Sequence, residues 1–346
     1  MKKIKFIRAN KTKFGGAEVY LSRLSDELNK LSIGHELIYS TIPKFLPSWI
    51  RVILFNRQVC SLKKNSFYFS LERISCPDIY RAGDGVHKVF LDIEKKSKLN
   101  PLHKTYLYFE KKCFNNAKKI ISNSKMVKKQ IIDTYGINES KIEVIYNGIN
   151  LEKFDFEVAF EKINKEFFFD KLKSETIFTY VGSGFKRKGV EEFLHILSKL
   201  KNRNFKAFVI GKEKKLSYYE DLAKLLRIED KVIFTGARND VKDFYTISDI
   251  FLFPTRYEPF SNVVLEAMNY ENVIITTKQN GAHEILTDKY IMQTPTDYSI
   301  VNKIDDLLEN PEKISEIKAQ NLEIVKNFSI EKNVEQTLKV INEVIN

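Results

Sequence analysis

The chain is poor in cysteine. It has three among 346 residues, Cys60, Cys76 and Cys113, and no C-x-x-C pair. An odd number at wide spacing argues against a disulfide framework and against a zinc site. Long apolar runs are missing as well. The longest candidate, Trp49 to Phe55, is broken by Arg51, so no segment reads as a membrane-spanning helix. A basic start (Lys2, Lys3, Lys5) is followed by Arg8, Asn10, Lys11 and Lys13 where a secretory signal needs an apolar core. The expected location is therefore the cytoplasm. Low-complexity stretches are absent, and with 43% apolar residues the composition excludes a disordered chain. His35, His103, His195 and His283 show no metal-ligand spacing.

What is present points to two α/β domains. The length suits two domains of about 170 residues. The net charge of +12 is unevenly spread: residues 1–170 hold 31 Lys and Arg against 19 Asp and Glu, and residues 171–346 hold 26 of each. The first half should meet something anionic, whereas the second needs local geometry to bind an anion. In the second half, short runs rich in Val, Ile and Phe (Thr176–Val181, Phe205–Ile210, Lys231–Thr235, Asp249–Phe253, Asn272–Thr276) alternate with helical patterns such as Val190–Lys201 and Leu216–Leu226. Four of these strands stop at Gly182, Gly211, Gly236 or Pro254. This alternation predicts βαβ units and a doubly wound parallel sheet, with ligands at the carboxyl ends of its strands. The first half repeats the grammar with strands at Lys3–Ile7, His35–Tyr39, Asp78–Tyr80, Lys119–Ser122 and Lys141–Tyr146. Its helices fall at Ala17–Leu31 and Ser124–Tyr135, the latter capped by Ser124. Phe154–Phe169 reads as an irregular boundary. The expected domains are 1–160 and 161–330, with a final helix over 331–346 that packs back on the N-terminal domain.

Three segments carry chemistry. Glu258-Pro259-Phe260-Ser261-Asn262-Val263-Val264-Leu265-Glu266 follows a buried strand, with Ser261 as N-cap of a helix whose free amides suit a phosphate. Its two carboxylates would repel a phosphate, so they fit sugar hydroxyls better; Glu266 alone also fits an acid favouring a helix dipole. Gly182-Ser183-Gly184-Phe185-Lys186-Arg187-Lys188-Gly189 puts three cations on a Gly-rich turn, enough to neutralise a diphosphate. It is neither G-x-G-x-x-G nor a Walker A loop, and read alone it also fits a solvated basic turn. Phe14-Gly15-Gly16-Ala17-Glu18 lets backbone approach a ligand closely, or simply makes a tight strand-to-helix turn.

Together these segments resemble the retaining nucleotide-sugar glycosyltransferases of family 4, which have the GT-B fold of two Rossmann-like doubly wound sheets facing across a cleft. The resemblance spans nearly the whole chain: Gly15-Gly16, the basic turn, Gly236-Ala237-Arg238-Asn239-Asp240-Val241, and the E-x7-E pair Glu258 and Glu266. It is strongest to the subgroup that glucosylates the first heptose of the lipopolysaccharide core, through Val181–Val190 and Gly236–Val241. The resemblance implies that Glu266 holds ribose hydroxyls, that Glu258 holds the donor hexose, and that amides around Phe260, Ser261, Asn262 and Val263 meet sugar and phosphate. It places Lys188 on the diphosphate, with Arg187 supplying the cation that the family usually carries at the position of Ser183. It sets Gly182 beside the donor and Arg238 where the base rests. Asp84, in Arg81-Ala82-Gly83-Asp84-Gly85, takes the place of a polar residue facing the reacting sugar, although it also reads as a turn aspartate beside Gly85. His87, nearby, reads equally as an interface histidine. No D-x-D occurs, so neither a metal nor another cofactor is expected. The implied activity is retaining transfer of a hexose, UDP-hexose favoured, to an envelope glycan such as lipopolysaccharide core.

Between Gly85 and Asn116, seven lysines interleave with Phe90, Tyr106, Tyr108, Phe109 and Phe114. A second patch joins Trp49, Ile50, Ile53, Leu54 and Phe55 to Arg51 and Arg57. Such mixtures suit an anionic membrane surface through residues 85–116, with the enzyme peripheral on the inner face of the cytoplasmic membrane. They also fit an ordinary solvated, lysine-rich face. No helix-turn-helix, zinc finger or RNA-binding aromatic signature supports a nucleic-acid partner. Other lipid-linked, capsular or soluble acceptors stay open, as do an inactive sugar-binding module and a nucleotide-sugar epimerase.

Overall fold

A computed structural model of the chain describes residues 3–10, 16–97, 99–167 and 175–345. These residues form two compact units. One runs to Gly148 and resumes at Phe328; the other is Ile149–Asn327.

The first unit holds six strands: β1 (Ile4–Ile7), β2 (His35–Ile38), β3 (Phe67–Ser70), β4 (Ile79–Ala82), β5 (Lys119–Ser122) and β6 (Ile142–Val144). Their order is β2-β1-β3-β4-β5-β6, and all pairs are parallel. Phe6 lies opposite Leu37 on one side and Phe69 on the other. Helix Gly16–Lys30 buries Leu21, Leu24 and Leu28 on this sheet, the face that its 3.6-residue period marks as apolar. The closing helix Ile330–Ile345 brings Val334, Val340 and Ile341 into the same cluster, so it belongs to this unit. Each such side chain contributes about 1.5–3 kcal/mol relative to an exposed one.

The second unit also holds six strands: β7 (Thr176–Val181), β8 (Phe205–Ile210), β9 (Val232–Gly236), β10 (Ile250–Phe253), β11 (Val273–Thr277) and β12 (Ile291–Met292). Their order is β12-β11-β10-β7-β8-β9, again parallel. The strand order jumps at β7, so the ends of β7 and β10 lie side by side, where an open α/β sheet has its crevice.

Three expectations are corrected. Within the expected irregular span Phe154–Phe169, Phe156–Phe167 is a helix of the second unit, burying Ala159 and Ile163 at i, i+4, and residues 168–169 lie outside the described residues. Its charges misled because they pair elsewhere, Lys162 with Asp240 at 2.9 Å and with Asp243. Cys60 and Cys76 are joined as a disulfide, with Cα atoms 5.9 Å apart, which spacing along the chain did not suggest. Cys60 ends helix Ser48–Ser61 and Cys76 precedes β4, so the sheet brings them together; Cys113 is buried and free. Finally, β3, four buried residues, was not distinguished in the sequence.

Divided at the structural boundary, the charge asymmetry sharpens. The first unit has 30 Lys and Arg against 16 Asp and Glu, and the second 27 against 29. Among the described residues no helix is long and apolar enough to cross a membrane.

Candidate functional site

The basic turn leaves β7 at Gly182 and forms a short helix, Phe185–Lys188, before helix Val190–Ser198. Phe185 is fully buried edge-on to Tyr180 and Tyr219, which anchors the turn. Its N–H donates to Glu213 Oε2 at 3.1 Å. Gly189 has φ +83°, and a Cβ there would lie 2.0 Å from the Pro254 carbonyl oxygen. Only glycine permits both this backbone and this approach. The turn is thereby pressed against the end of β10. The Arg187 carbonyl accepts from the Arg256 N–H at 2.9 Å and the Thr255 hydroxyl at 3.3 Å, which joins the two loops.

That union brings Glu258 to the two cations. Its carboxylate accepts from Arg187 Nη1 at 3.0 Å and lies 3.5 Å from Lys188 Nζ. Arg187 also donates to the Tyr257 carbonyl at 2.7 Å. The Lys188 side chain runs over Gly182, where a Cβ would stand 2.8 Å from its Cδ. Glu258 is itself fixed by backbone: its N–H donates to Gln279 and its carbonyl accepts from Gly281. Burial pushes the Glu258 carboxyl up, but Lys188 and Arg187 together outweigh it and hold the pKa below the ordinary value. One carboxylate against two cations leaves a net positive site, able to take an anion while presenting an acceptor oxygen to hydroxyl groups.

The E-x7-E unit then enters helix Asn262–Asn269. Phe260 and Ser261 are buried, while Asn262, Val263 and Glu266 are half-buried. Ser261 stands at the N-cap with extended backbone, but its hydroxyl makes no capping bond, contrary to the expected cap. The first-turn amides are therefore not consumed by a cap hydroxyl. Glu266, in the second turn, lies close enough to Tyr245 and Tyr270 for its charge to add to the burial that raises both phenols.

The remaining predicted residues are placed as follows. The Ser183 hydroxyl accepts from the Lys212 N–H at 3.0 Å. Arg238, just beyond β9, is bidentate to Glu166 at 2.6 and 2.7 Å and to Asp240 at 2.9 Å by two nitrogens, beside the rings of Phe167 and Phe244. Its hydrogen bonds to Glu166 and Asp240 raise its pKa. Gly16 opens helix Gly16–Lys30; Gly15 lies outside the described residues. Asp84 belongs to the first unit, half exposed, with Arg8 Nη1 3.9 Å away.

Sequence reading missed the company Asp84 keeps. Arg8, at the end of β1, pairs with Glu18 and with Glu72, each at 2.9 Å. The fully buried Glu110 accepts from Arg73 at 2.9 Å, from Tyr135 and from the His87 N–H. Arg73 reaches on to the Gly85 carbonyl at 3.2 Å, tying the Asp84 loop to Glu110. A charged residue just beyond a predicted strand was the available signal for Arg8. His87 is half-buried: burial first, then Arg73 and His103, lower its pKa to about 4. The aromatics of 85–116 also sort differently from the expectation of an interfacial set. Phe109 and Phe114 are core residues because helix Pro101–Asn116 turns them inward, and Tyr108 faces solvent. Among the described residues no three His, Cys, Asp or Glu side chains converge as metal ligands do.

The family described as glycosyl transferases group 1 matches residues 161–324, and the glycosyltransferase family 4 description matches 83–153. An uncharacterized glycosyltransferase of Methanocaldococcus jannaschii is 33% identical over 171 residues, 48% of this chain and 44% of its own length. The capsular polysaccharide biosynthesis glycosyltransferase CapM of Staphylococcus aureus is 31% identical over 214 residues, 58% of this chain and 55% of its own length. This chain thus spans about half of each of those two relatives. The crystal structure of WaaG, a glycosyltransferase involved in lipopolysaccharide biosynthesis, superposes with a TM-score of 0.83 over 98% of this chain and 99% of its own, at 19% identity. With two parallel six-stranded sheets, residues 161–324 matched to the group 1 glycosyltransferases and residues 83–153 to glycosyltransferase family 4, the chain has the GT-B glycosyltransferase fold of two Rossmann-like domains.

Proposed function

We propose that the protein is a retaining glycosyltransferase that moves a hexose from a nucleotide-sugar, UDP-hexose in the first instance, to a cell-envelope glycan such as lipopolysaccharide core. The observation that carries this reading is the Glu258 carboxylate held by Arg187 and Lys188 at the end of β10, just before helix Asn262–Asn269. As the bond from C1 to the leaving diphosphate breaks, negative charge grows on the phosphate oxygens. Arg187, Lys188 and the first-turn amides around Val263 meet that charge, each preorganised donor supplying about 3–4 kcal/mol. Glu258 accepts from hexose hydroxyls and Glu266 from the ribose. The acceptor hydroxyl attacks from the face the diphosphate leaves, and the departing phosphate oxygen takes its proton. No enzyme nucleophile and no metal enter this scheme. The assignment of Asp84 to the reacting sugar rests on the sequence resemblance. The choice of a UDP-hexose rests on the sequence resemblance, and the envelope acceptor is in keeping with the capsule relative.

The test is a screen of UDP-, GDP- and ADP-sugars by donor hydrolysis and thermal shift, with and without EDTA. Hydrolysis of one nucleotide-sugar that persists in EDTA supports the reading. Strict dependence on an added divalent ion, or no response to any donor, overturns it.

A membrane-bound acceptor is favoured by the surface of the first unit. Helices Ser48–Ser61 and Pro101–Asn116 pack together. Between them they expose Trp49, Ile53 and Tyr108, with Phe45 and Leu99 close by in sequence, beside Lys104, Lys111 and Lys112. Each lysine near an anionic surface adds about 1 kcal/mol. Binding to vesicles should rise with anionic lipid and fall with salt. Indifference to anionic vesicles at low salt would favour a soluble acceptor.

A further inference from the structure

A cavity of about 310 Å³ lies in the first unit between helix Ser48–Ser61, helix Pro101–Asn116 and the ends of β1 and β3. Three cations line it, Lys44, Arg51 and Arg73, against one carboxylate, Glu72. That carboxylate is already engaged, by Arg8 at 2.9 Å and by the Ala9 N–H at 3.0 Å. Glu110 and the Gly85 carbonyl hold Arg73 on the cavity wall, with its side chain 10% exposed. Arg51 donates to the Ser48 hydroxyl, while its Nε is buried without a hydrogen-bond partner. The positive end of helix Ser48–Ser61 adds to this: Ser48 lines the cavity, Pro47 offers no side-chain cap, and the first turn has no acid.

The lining also has an apolar part, from Val52, Phe55 and Leu102. Along the same helix Trp49 and Ile53 are exposed, so the cavity adjoins an apolar ridge. An inorganic anion would leave that surface unused.

We propose that this cavity binds a phosphate group carried on an amphiphilic molecule, the phosphate on Arg51, Arg73 and Lys44 and the apolar carrier along Val52 and Phe55. Resting on the transferase reading above, this makes the acceptor a phosphorylated, membrane-anchored glycan, held by its phosphate in the unit that does not hold the donor. Recognition of this kind is charge-assisted on one side and hydrophobic on the other.

Titration calorimetry with octyl phosphate below its micelle concentration, and separately with inorganic phosphate, tests the site. Octyl phosphate is expected to bind at least tenfold more tightly than inorganic phosphate. Arg51→Gln and Lys44→Gln, both at exposed or half-exposed positions and checked for an unchanged melting temperature, should each weaken it about tenfold. Arg187→Ala, in the other unit, should leave it within twofold. Loss of binding in Arg187→Ala, or no change in Arg51→Gln, overturns the proposal, because the phosphate would then be in the donor site. Equal affinity for inorganic phosphate overturns the amphiphile and leaves a free-anion site. Donor hydrolysis by the wild-type protein without octyl phosphate binding sinks the cavity alone. Arg51-dependent binding without hydrolysis of any nucleotide-sugar sinks the transferase reading and the acceptor role with it.

Discussion

Replacing Glu258 by Gln separates the structural from the chemical duty of one carboxylate. In the wild type its charge is opposed by Arg187 at 3.0 Å and Lys188 at 3.5 Å; the side chains of Glu258 and Lys188 are 17% exposed and that of Arg187 is 31%. Removing one partner of a buried ion pair costs roughly 3–5 kcal/mol; with this much solvent contact, about 2–3 kcal/mol is expected. For a unit of this size each kcal/mol lowers Tm by about 2–4 °C, so the fall should be about 4–12 °C. Affinity for UDP should move the other way. In the proposed donor complex the carboxylate competes with the diphosphate for the same two cations. At an effective dielectric constant of ~20, a unit charge ~7 Å from another is worth ~2 kcal/mol before salt screening. UDP should therefore bind about five- to tenfold tighter to Glu258→Gln at low salt, and the gain should shrink in 0.5 M salt. Transfer should drop about 10²–10³-fold, because the hexose loses its charged acceptor. Scanning calorimetry, UDP titration and a donor-hydrolysis assay read the three effects. Wild-type turnover in a folded variant, or UDP affinity that is unchanged or weaker, would refute the assignment of Arg187 and Lys188 to the diphosphate.

Gly189→Ala should destabilise the second unit by about 3 kcal/mol or more, since the new methyl meets the Pro254 carbonyl at 2.0 Å on a left-handed backbone; denaturant unfolding checks this, and a fully stable variant contradicts the docking of the basic turn. His87 has a folded-state pKa of about 4, below its unfolded value of 6.5, so its contribution is complete above pH 6.5 and is lost as pH falls from 6.5 toward 4. With solvent screening the loss is about 1–2 kcal/mol, and His87→Gln should flatten that part of the stability profile. Reducing the Cys60–Cys76 bond, which closes a loop with a sequence separation of 16, should cost up to about 3 kcal/mol in the first unit; an unchanged Tm in reductant would show the bond absent in solution. Arg238→Ala should destabilise helix Phe156–Phe167 by freeing Glu166, visible as faster amide exchange there.

The sequence by itself determined whatever depends on neighbours along the chain. Short Val- and Ile-rich runs stopping at Gly182, Gly211 and Pro254 fixed where β7, β8 and β10 end, because a buried parallel strand must be apolar on both faces and a breaker must follow it. The basic turn and the Glu258–Glu266 spacing were legible for the same reason, and the charge asymmetry needs only a count. Tertiary structure alone decided the pairings. A 3.6-residue period showed that helix Ile330–Ile345 buries one face, but not that Leu21, Leu24 and Leu28 would cover it. Helix Phe156–Phe167 looked like a charged linker until Arg238, 72 residues away, and Asp240 and Asp243 neutralised it. Arg187 meets Glu258 across 71 residues only because β7 and β10 are adjacent in the sheet. The same logic put Cys60 beside Cys76, and Arg51 in one cavity with Arg73. Local pattern fixes which faces are apolar and where strands end. Strand order fixes which charges meet, and strand order is set by the lowest free energy of the packed whole.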